Sequence, residues 1–306
     1  MELAIITAKQ VVILYCLILT GVAGVKSGVI KPEAKKAFSN LLLYLAVPAM
    51  VIHSYISKAD RSVLARLPQT FALSVLAILA GLAITMFCTY RMKGKERPIL
   101  RFACIFSNAA YMGFPLIQAL FGSEGLLYAS AFVTVYNILL WTAGYGIVSK
   151  KVRAKEVWRT IFTNPVLISV AAGLLIYLCQ IPVPDIIKQP ISLIGNMNTP
   201  LSMFITGMII AGSDIKGLVY NKNIWYIILV RQLVIPAVCF GVFSLFHVTG
   251  MAAQVVLLLE ACPSAAITSV FAVQFQYDEN LAAGAVVITT FLSILTLPVC
   301  AMLLTV

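Results

Sequence analysis

Apolar positions run along this chain in ten long blocks, at 4–25, 38–57, 69–90, 99–121, 126–148, 165–181, 190–212, 224–246, 251–275 and 281–304. A helix needs about 20 such residues to cross about 30 Å of hydrocarbon, and every block approaches or exceeds that length. Charged residues collect in the short segments between blocks. The pattern predicts an all-α membrane protein of ten transmembrane helices, with no loop long enough for a soluble domain. The first block outruns the apolar core of a secretory signal and follows Met1-Glu2 without a basic stretch, so it is expected to remain as a helix.

Two blocks read as helices interrupted by a proline in mid-membrane. ILRFACIFSNAAYMGFPLIQALFG surrounds Pro115 in the fourth, and MAAQVVLLLEACPSAAITSVFAVQF surrounds Pro263 in the ninth. Hydrocarbon offers no water to freed backbone groups, so a broken helix survives only inside protein or beside a cavity. Pro115 lacks an N–H for the Tyr111 carbonyl and is expected to drive Phe114 out of helical dihedrals, with Gly113 easing the unwinding. Pro263 frees the carbonyl of Leu259, and Ser264 is expected to cap the half-helix that follows. A plain proline kink is the simpler reading of either site, but a matched pair points to transport.

The pair belongs to a wider periodicity. Gly21 answers to Gly173 and Pro48 to Pro200, each 152 residues apart, and Pro115 answers to Pro263 at 148. The chain therefore reads as two five-helix repeats, 1–148 and 149–306, joined by the basic segment 149–160. Five crossings are an odd number, so the second repeat enters inverted about an axis in the membrane plane. Each broken helix then brings the N-terminal, partly positive end of its second half to the midplane, a setting that favours an anion.

Composition agrees with the membrane, since 61% of residues are apolar and 11% charged, against roughly half and a quarter in soluble domains. Mean hydropathy is +0.99. The net charge of +11 would suggest nucleic acid, but its distribution argues otherwise. Lys26, Lys31, Lys35 and Lys36 follow the first block, and Arg91, Lys93, Lys95, Arg97 and Arg101 the third. Lys150, Lys151, Arg153, Lys155 and Arg159 follow the fifth, and Lys216 and Lys222 the seventh. Sixteen of the twenty-two basic residues thus share one side, which the positive-inside rule assigns to the cytoplasm. A multi-pass protein of the cell (plasma or inner) membrane with both termini extracytoplasmic is expected, and no nucleic-acid partner.

Few groups in the blocks carry chemistry. The seven cysteines lie within apolar blocks at no metal-like spacing and read as small core residues. Asn108 precedes Pro115 by two turns, and Asn137 lies mid-block in VTVYNILLW, each fit for a site or for an interhelical bond. Glu260 is the one acid placed deep in a block, a candidate proton-coupling group or a structural partner for Arg231 or unwound backbone. Arg231 lies some seven residues into the eighth block and reads as snorkelling to the cytoplasm. His53 and His247 sit near helix ends without sequence partners. No metal site, no cofactor and no enzymatic constellation is expected.

These residues carry a family resemblance over nearly the full length. NAAYMGFPLIQALFG resembles the fourth-helix signature of the auxin efflux carrier family, an Asn followed by Met-Gly-aliphatic-Pro and then Phe/Tyr-Gly. LLLYLAVPAMVIHSYIS, TNPVLISVAAGLL and ACPSAAITSVFAVQF resemble its second, sixth and ninth helices. The chain looks like a prokaryotic member of that family. The resemblance implies a fold like those of sodium/proton antiporters and bile-acid symporters, with broken crossover helices 4 and 9 forming an X. Helices 1, 2, 6 and 7 (about 4–57 and 165–212) would form a dimerising scaffold, and helices 3–5 and 8–10 (about 69–148 and 224–304) a moving transport domain.

The resemblance further implies an elevator-type carrier of small organic anions, auxin-like or malate- and malonate-like, acting as a homodimer in the bilayer. By position it assigns substrate contact to Asn108, Gly113, Pro115, Asn137, Pro263 and Ser264, with Val47 and the Val47–Pro48 turn lining the scaffold side. Plant members carry charged residues in helix 3 where FALSVLAILAGLAITMF has one serine and one threonine, and their long central loop is absent here. A sodium-coupled symporter of bile-acid type is the alternative function.

Overall fold

Helix occupies the apolar blocks and polar connections separate them. In chain order the helices are α1 (Glu2–Lys26), α2 (Ala34–Ile56), α3 (Arg61–Cys88), α4 (Arg97–Ile105), α5 (Ala109–Ser149), α6 (Pro165–Leu178), α7 (Asp185–Ala211), α8 (Lys222–Leu245), α9 (Met251–Ala261), α10 (Ile267–Gln274) and α11 (Glu279–Leu303). Seven of them, α1, α2, α3, α5, α7, α8 and α11, are long and apolar enough to cross a membrane. This computed structural model describes residues 2–56, 61–149, 159, 162–213 and 220–304, without the side chains of 2–4 and 61–64. Lys58, Lys150, Lys151, Arg153, Lys155, Lys216 and most of the joining segment 149–160 lie outside the described residues.

The helix α5 is two antiparallel arms. The Tyr136 hydroxyl donates to the Ser107 carbonyl at 2.8 Å across 29 residues, which a straight helix would hold about 40 Å apart. The reversal falls at Gly122, whose φ of 59° and ψ of −147° suit glycine almost alone. Arms 109–121 and 123–149 therefore lie side by side.

Prolines inside these helices are absorbed more often than they break the chain. In α2 the turn Leu42–Ala46 widens to a π-turn two residues before Pro48, with the Val47 N–H reaching back five residues to Leu42. The turn Ala109–Gly113 does the same before Pro115, and Leu229–Val234 before Pro236. A proline cannot donate to the carbonyl four residues back and its ring crowds that turn, so a five-residue step relieves both problems. The expected unwinding at Pro115 is thereby corrected: Phe114 is helical (φ −56°, ψ −49°), and the chain opens earlier, at Phe106–Asn108. Val47 is likewise helical (φ −64°, ψ −48°), so the Val47–Pro48 turn is a widened helix and not a break.

Small residues set the packing of four helices. A Cβ on Gly21 of α1 would lie 2.7 Å from the Phe204 carbonyl of α7, and Gly207 of α7 abuts the α1 backbone at Ile18. Gly195 of α7 would bring a Cβ within 2.9 Å of Met50 Cα in α2, while Gly173 of α6 abuts the Tyr55 ring. Backbone contact of this kind replaces the hydrophobic driving force that lipid does not supply. The second half of α7 then packs its Met203 and Ile210 against Met112 and Leu116 on the first arm of α5.

Candidate functional site

The two interrupted helices meet at their interruptions. Phe106 (φ −98°, ψ 120°) and Cys262 (φ −58°, ψ 154°) are extended, and the short segments beyond them pair antiparallel through Ser107 and Ser264. The Asn108 N–H donates to the Pro263 carbonyl at 2.7 Å, and the Ala265 N–H to the Phe106 carbonyl at 2.9 Å. Each unwound strand thus satisfies part of the other's freed backbone, as a dry interior demands.

Side chains satisfy the rest. Arg231, fully buried in the π-turn of α8, donates from Nη1 to the Cys104 and Ile105 carbonyls at 3.2 and 2.9 Å. Its Nε reaches the Cys262 carbonyl at 3.2 Å, and Nη2 bonds the Glu260 carbonyl. The same guanidinium pairs with Glu260 Oε1 at 3.0 Å. Arg231 therefore caps the C-terminal ends of α4 and α9 together, where helix dipoles leave partial negative charge. This corrects the snorkelling expectation: the cation is held at the centre by four carbonyls and a carboxylate. The rigid five-donor fork of arginine fits that task, which a lysine point charge would not.

Ser264 is corrected in role. Its hydroxyl donates to the Ala103 carbonyl of α4 at 2.9 Å, and its N–H to Thr289 Oγ1 of α11 at 3.0 Å. It caps the opposite helix, while α10 has Ala266 at its N-cap and no side-chain cap. Tyr136 takes the Ser107 carbonyl, as described above.

Several polar atoms around the crossing stand unpartnered. Among the described residues Ser107 Oγ, Asn108 Nδ2, Thr268 Oγ1, Ser269 Oγ and Thr290 Oγ1 are buried without a hydrogen-bond partner. Four lie within the two unwound segments or the first turn of α10, and the fifth adjoins Thr289. The N-terminal ends of α5 and α10 directly follow these paired segments, and a helix start carries partial positive charge. Buried polar groups ordinarily have partners, so this concentration of donors and hydroxyls marks a place built for a polar occupant.

The structure brings together Asn108, Pro263, Ser264 and Glu260 at the crossing. Gly113 touches it from one side, since a Cβ there would strike Leu259 of α9. Pro115 lies buried in the following turn. Asn137 follows Tyr136 but is engaged elsewhere: it donates to its own Val133 carbonyl at 2.9 Å and receives the Asn164 amide at 3.4 Å. Val47 is buried in α2, outside this bond network. Sequence reasoning passed over Ser107, Tyr136, Thr289 and Asn164. Asn164 was legible as the polar residue before Pro165, and its side chain does cap α6 through the N–H groups of Val166 and Leu167. No group of His, Cys, Asp or Glu fit to hold a metal ion occurs among the described residues.

Comparison with known proteins gives the same direction. An uncharacterized transporter of Methanocaldococcus jannaschii is 26% identical over 302 residues, covering 94% of this chain and 95% of its own. A second, from Methanothermobacter thermautotrophicus, is 22% identical over 278 residues, covering 89% of each. The profile described as membrane transport protein matches residues 6–301, so the chain belongs to that family, the auxin efflux carriers.

Proposed function

We propose that this protein is a secondary active transporter of small organic anions, mono- or dicarboxylates, with ten spans in two inverted five-helix repeats. The crossing of the two broken helices carries the reading. It gathers two helix N-termini, the Asn108 amide and several unpartnered hydroxyls at one depth, and gives the freed carbonyls their own cation in Arg231. Each N-terminus is worth about 0.3–1 kcal/mol to an anion, rising to about 2 kcal/mol when partly buried. The repeat is supported by the paired interruptions and by the irregular steps before Pro48 and Pro200.

In this reading α1, α2, α6 and α7 are the fixed, dimerising scaffold, and the remaining helices carry the crossing across the inner membrane as an elevator. The scaffold's glycine-mediated backbone contacts support its acting as one body. Asn108, Gly113, Pro115, Pro263 and Ser264 shape the anion site, with Asn137 and Val47 at its margins. Reconstituted protein should take up radiolabelled malonate, and Asn108→Ala should weaken it by about 1–3 kcal/mol, the cost of removing a donor from a desolvated site. Unchanged affinity would return Asn108 to a structural role.

Glu260 is the coupling group of this reading. Its carboxylate balances Arg231; a proton taken up there leaves the guanidinium, which binds the Ile105 carbonyl three residues before Asn108, uncompensated and favours an anion. Uptake of an anion ionised throughout should fall as pH rises, and Glu260→Gln should flatten the profile. A profile that survives the substitution places coupling elsewhere. Sodium coupling would need crossing carbonyls that Arg231 already occupies, so replacing sodium by choline should leave uptake unchanged. The cytoplasmic side of 91–98 and the extracytoplasmic termini are checked by labelling a cysteine at Lys95 in intact cells with an impermeant reagent, which should fail to react.

A further inference from the structure

A second polar recess lies away from the crossing. A cavity of about 220 Å³ opens between α2, the elbow of α5 and the first half of α7, lined by His53, Gln118, Ser123, Ser192 and Asn196 beside Gly122 and Gly195. Gln118 stands ten residues above Asn108 on the same arm, roughly 15 Å along the helix. The cavity is therefore separate from the crossing and placed at the far end of the arm that leads to it.

Its chemistry is one-sided. Two amides, two hydroxyls and an imidazole line it beside the apolar Met50 and Leu126, and neither a carboxylate nor an ammonium does. The walls can donate several hydrogen bonds and present no fixed charge that repels an anion. The volume falls below the 300–1,000 Å³ typical of drug-sized ligands, which suits a molecule with the few heavy atoms of a small dicarboxylate.

A second observation extends the recess inward. One turn beyond Gly195, on the same face of α7, Asn198 is fully buried, and both its Nδ2 and Oδ1 lack a hydrogen-bond partner. Ser202 and Thr206 follow at four-residue steps, both buried, along the half of α7 that packs on Met112 and Leu116. A buried amide with neither end satisfied is costly unless something polar visits it. The α7 face thus carries polar groups from the cavity towards the depth of the crossing, through a region that is otherwise apolar.

We propose that this cavity and Asn198 form a second binding site for small carboxylates, a staging site that hands the anion to the crossing. The direction of transfer rests on the carrier reading; the site's own chemistry does not. Gln118 and Asn196 grip the carboxylate at the mouth, and Asn198 receives it below.

The test uses the full chain in nanodiscs, with Ser192→Cys as reporter and 2-sulfonatoethyl methanethiosulfonate as probe, its rate read above the Ser192 parent. Malonate at about four times its Kd should slow modification about fivefold. The same protection should persist when Asn108→Ala is added, and should vanish with Gln118→Ala plus Asn196→Ala. An Asn198→Leu change, which keeps the number and branching of heavy atoms but removes the amide, should raise the KM for malonate uptake while protection at the mouth remains. Absent protection overturns the staging site, whether or not malonate is transported. Protection that disappears with Asn108→Ala also overturns it, because the cavity would then only report the crossing. Protection without uptake upholds the site and removes the carrier reading instead.

Discussion

The two interruptions look alike in sequence and arise differently in structure. At the second, Pro263 stands at the opening itself, behind an extended Cys262. At the first, Pro115 lies inside regular helix, and the opening falls seven residues earlier, where Phe106–Asn108 contain no proline. A proline is therefore neither necessary nor sufficient to open a helix here. What the two openings share is a set of external partners for carbonyls that would otherwise be orphaned: Arg231, Tyr136, Ser264 and the opposing strand. Pro48, Pro115 and Pro236 have no such helpers, and their helices widen by one residue instead.

If that account holds, the largest loss follows removal of the shared cap. Arg231→Met strips four carbonyls and leaves Glu260 charged and unpaired, a class of change that costs about 3–5 kcal/mol. The purified variant should show a large fall in Tm or fail to accumulate. The double change Arg231→Met with Glu260→Met sharpens the point. It removes the unpaired charge but not the orphaned carbonyls, so it should recover only part of the loss. Full recovery would make the ion pair, and not the carbonyl cap, the reason for Arg231.

Next in size is a change that touches the first opening alone. Tyr136→Phe keeps the ring packed against Phe106 at 5.5 Å and deletes only the hydroxyl that serves the Ser107 carbonyl. A buried acceptor left unsatisfied costs about 1–3 kcal/mol, which thermal unfolding should register. Asn108→Ala should behave oppositely. Its amide nitrogen has no partner in the resting protein, so stability should change by less than Tyr136→Phe while malonate affinity falls.

The helical character of the apolar blocks, an interruption in the fourth and the ninth, and the burial of Asn108 and Glu260 were legible because hydrophobic length and mid-block polarity are local signals. Arg231 was misread for a physical reason. Seven residues from a helix end is within snorkelling reach, and nothing local distinguishes a cation that turns outward from one that turns towards four carbonyls. The deep acid was the available clue, since Glu260 is the one acid inside an apolar block and Arg231 is a cation lying seven residues into another. Ser264 and Tyr136 were harder still. Their partners, Ala103 and Ser107, are backbone groups 161 and 29 residues away, and a carbonyl leaves no mark in a sequence.

The smallest expected effect is the one that separates the two interruptions most cleanly. Pro115→Ala restores an N–H in a turn that has already widened at Ala109–Gly113, so no bond is lost and the ring's crowding is relieved. Contacts are the offsetting term, because Pro115 is buried and its ring atoms pack. The two should nearly cancel, leaving stability within about 1 kcal/mol of the parent, as for a change that neither opens a cavity nor strands a polar group. Malonate uptake should persist, since the opening at Phe106–Asn108 is held by Arg231, Tyr136 and the strand from Pro263. Pro263→Ala sits at the opening itself and adds an N–H where Cys262 and Ser264 are already extended or committed, so it should impair uptake more. Equal losses for the two prolines would restore the simpler idea that each proline opens its own helix.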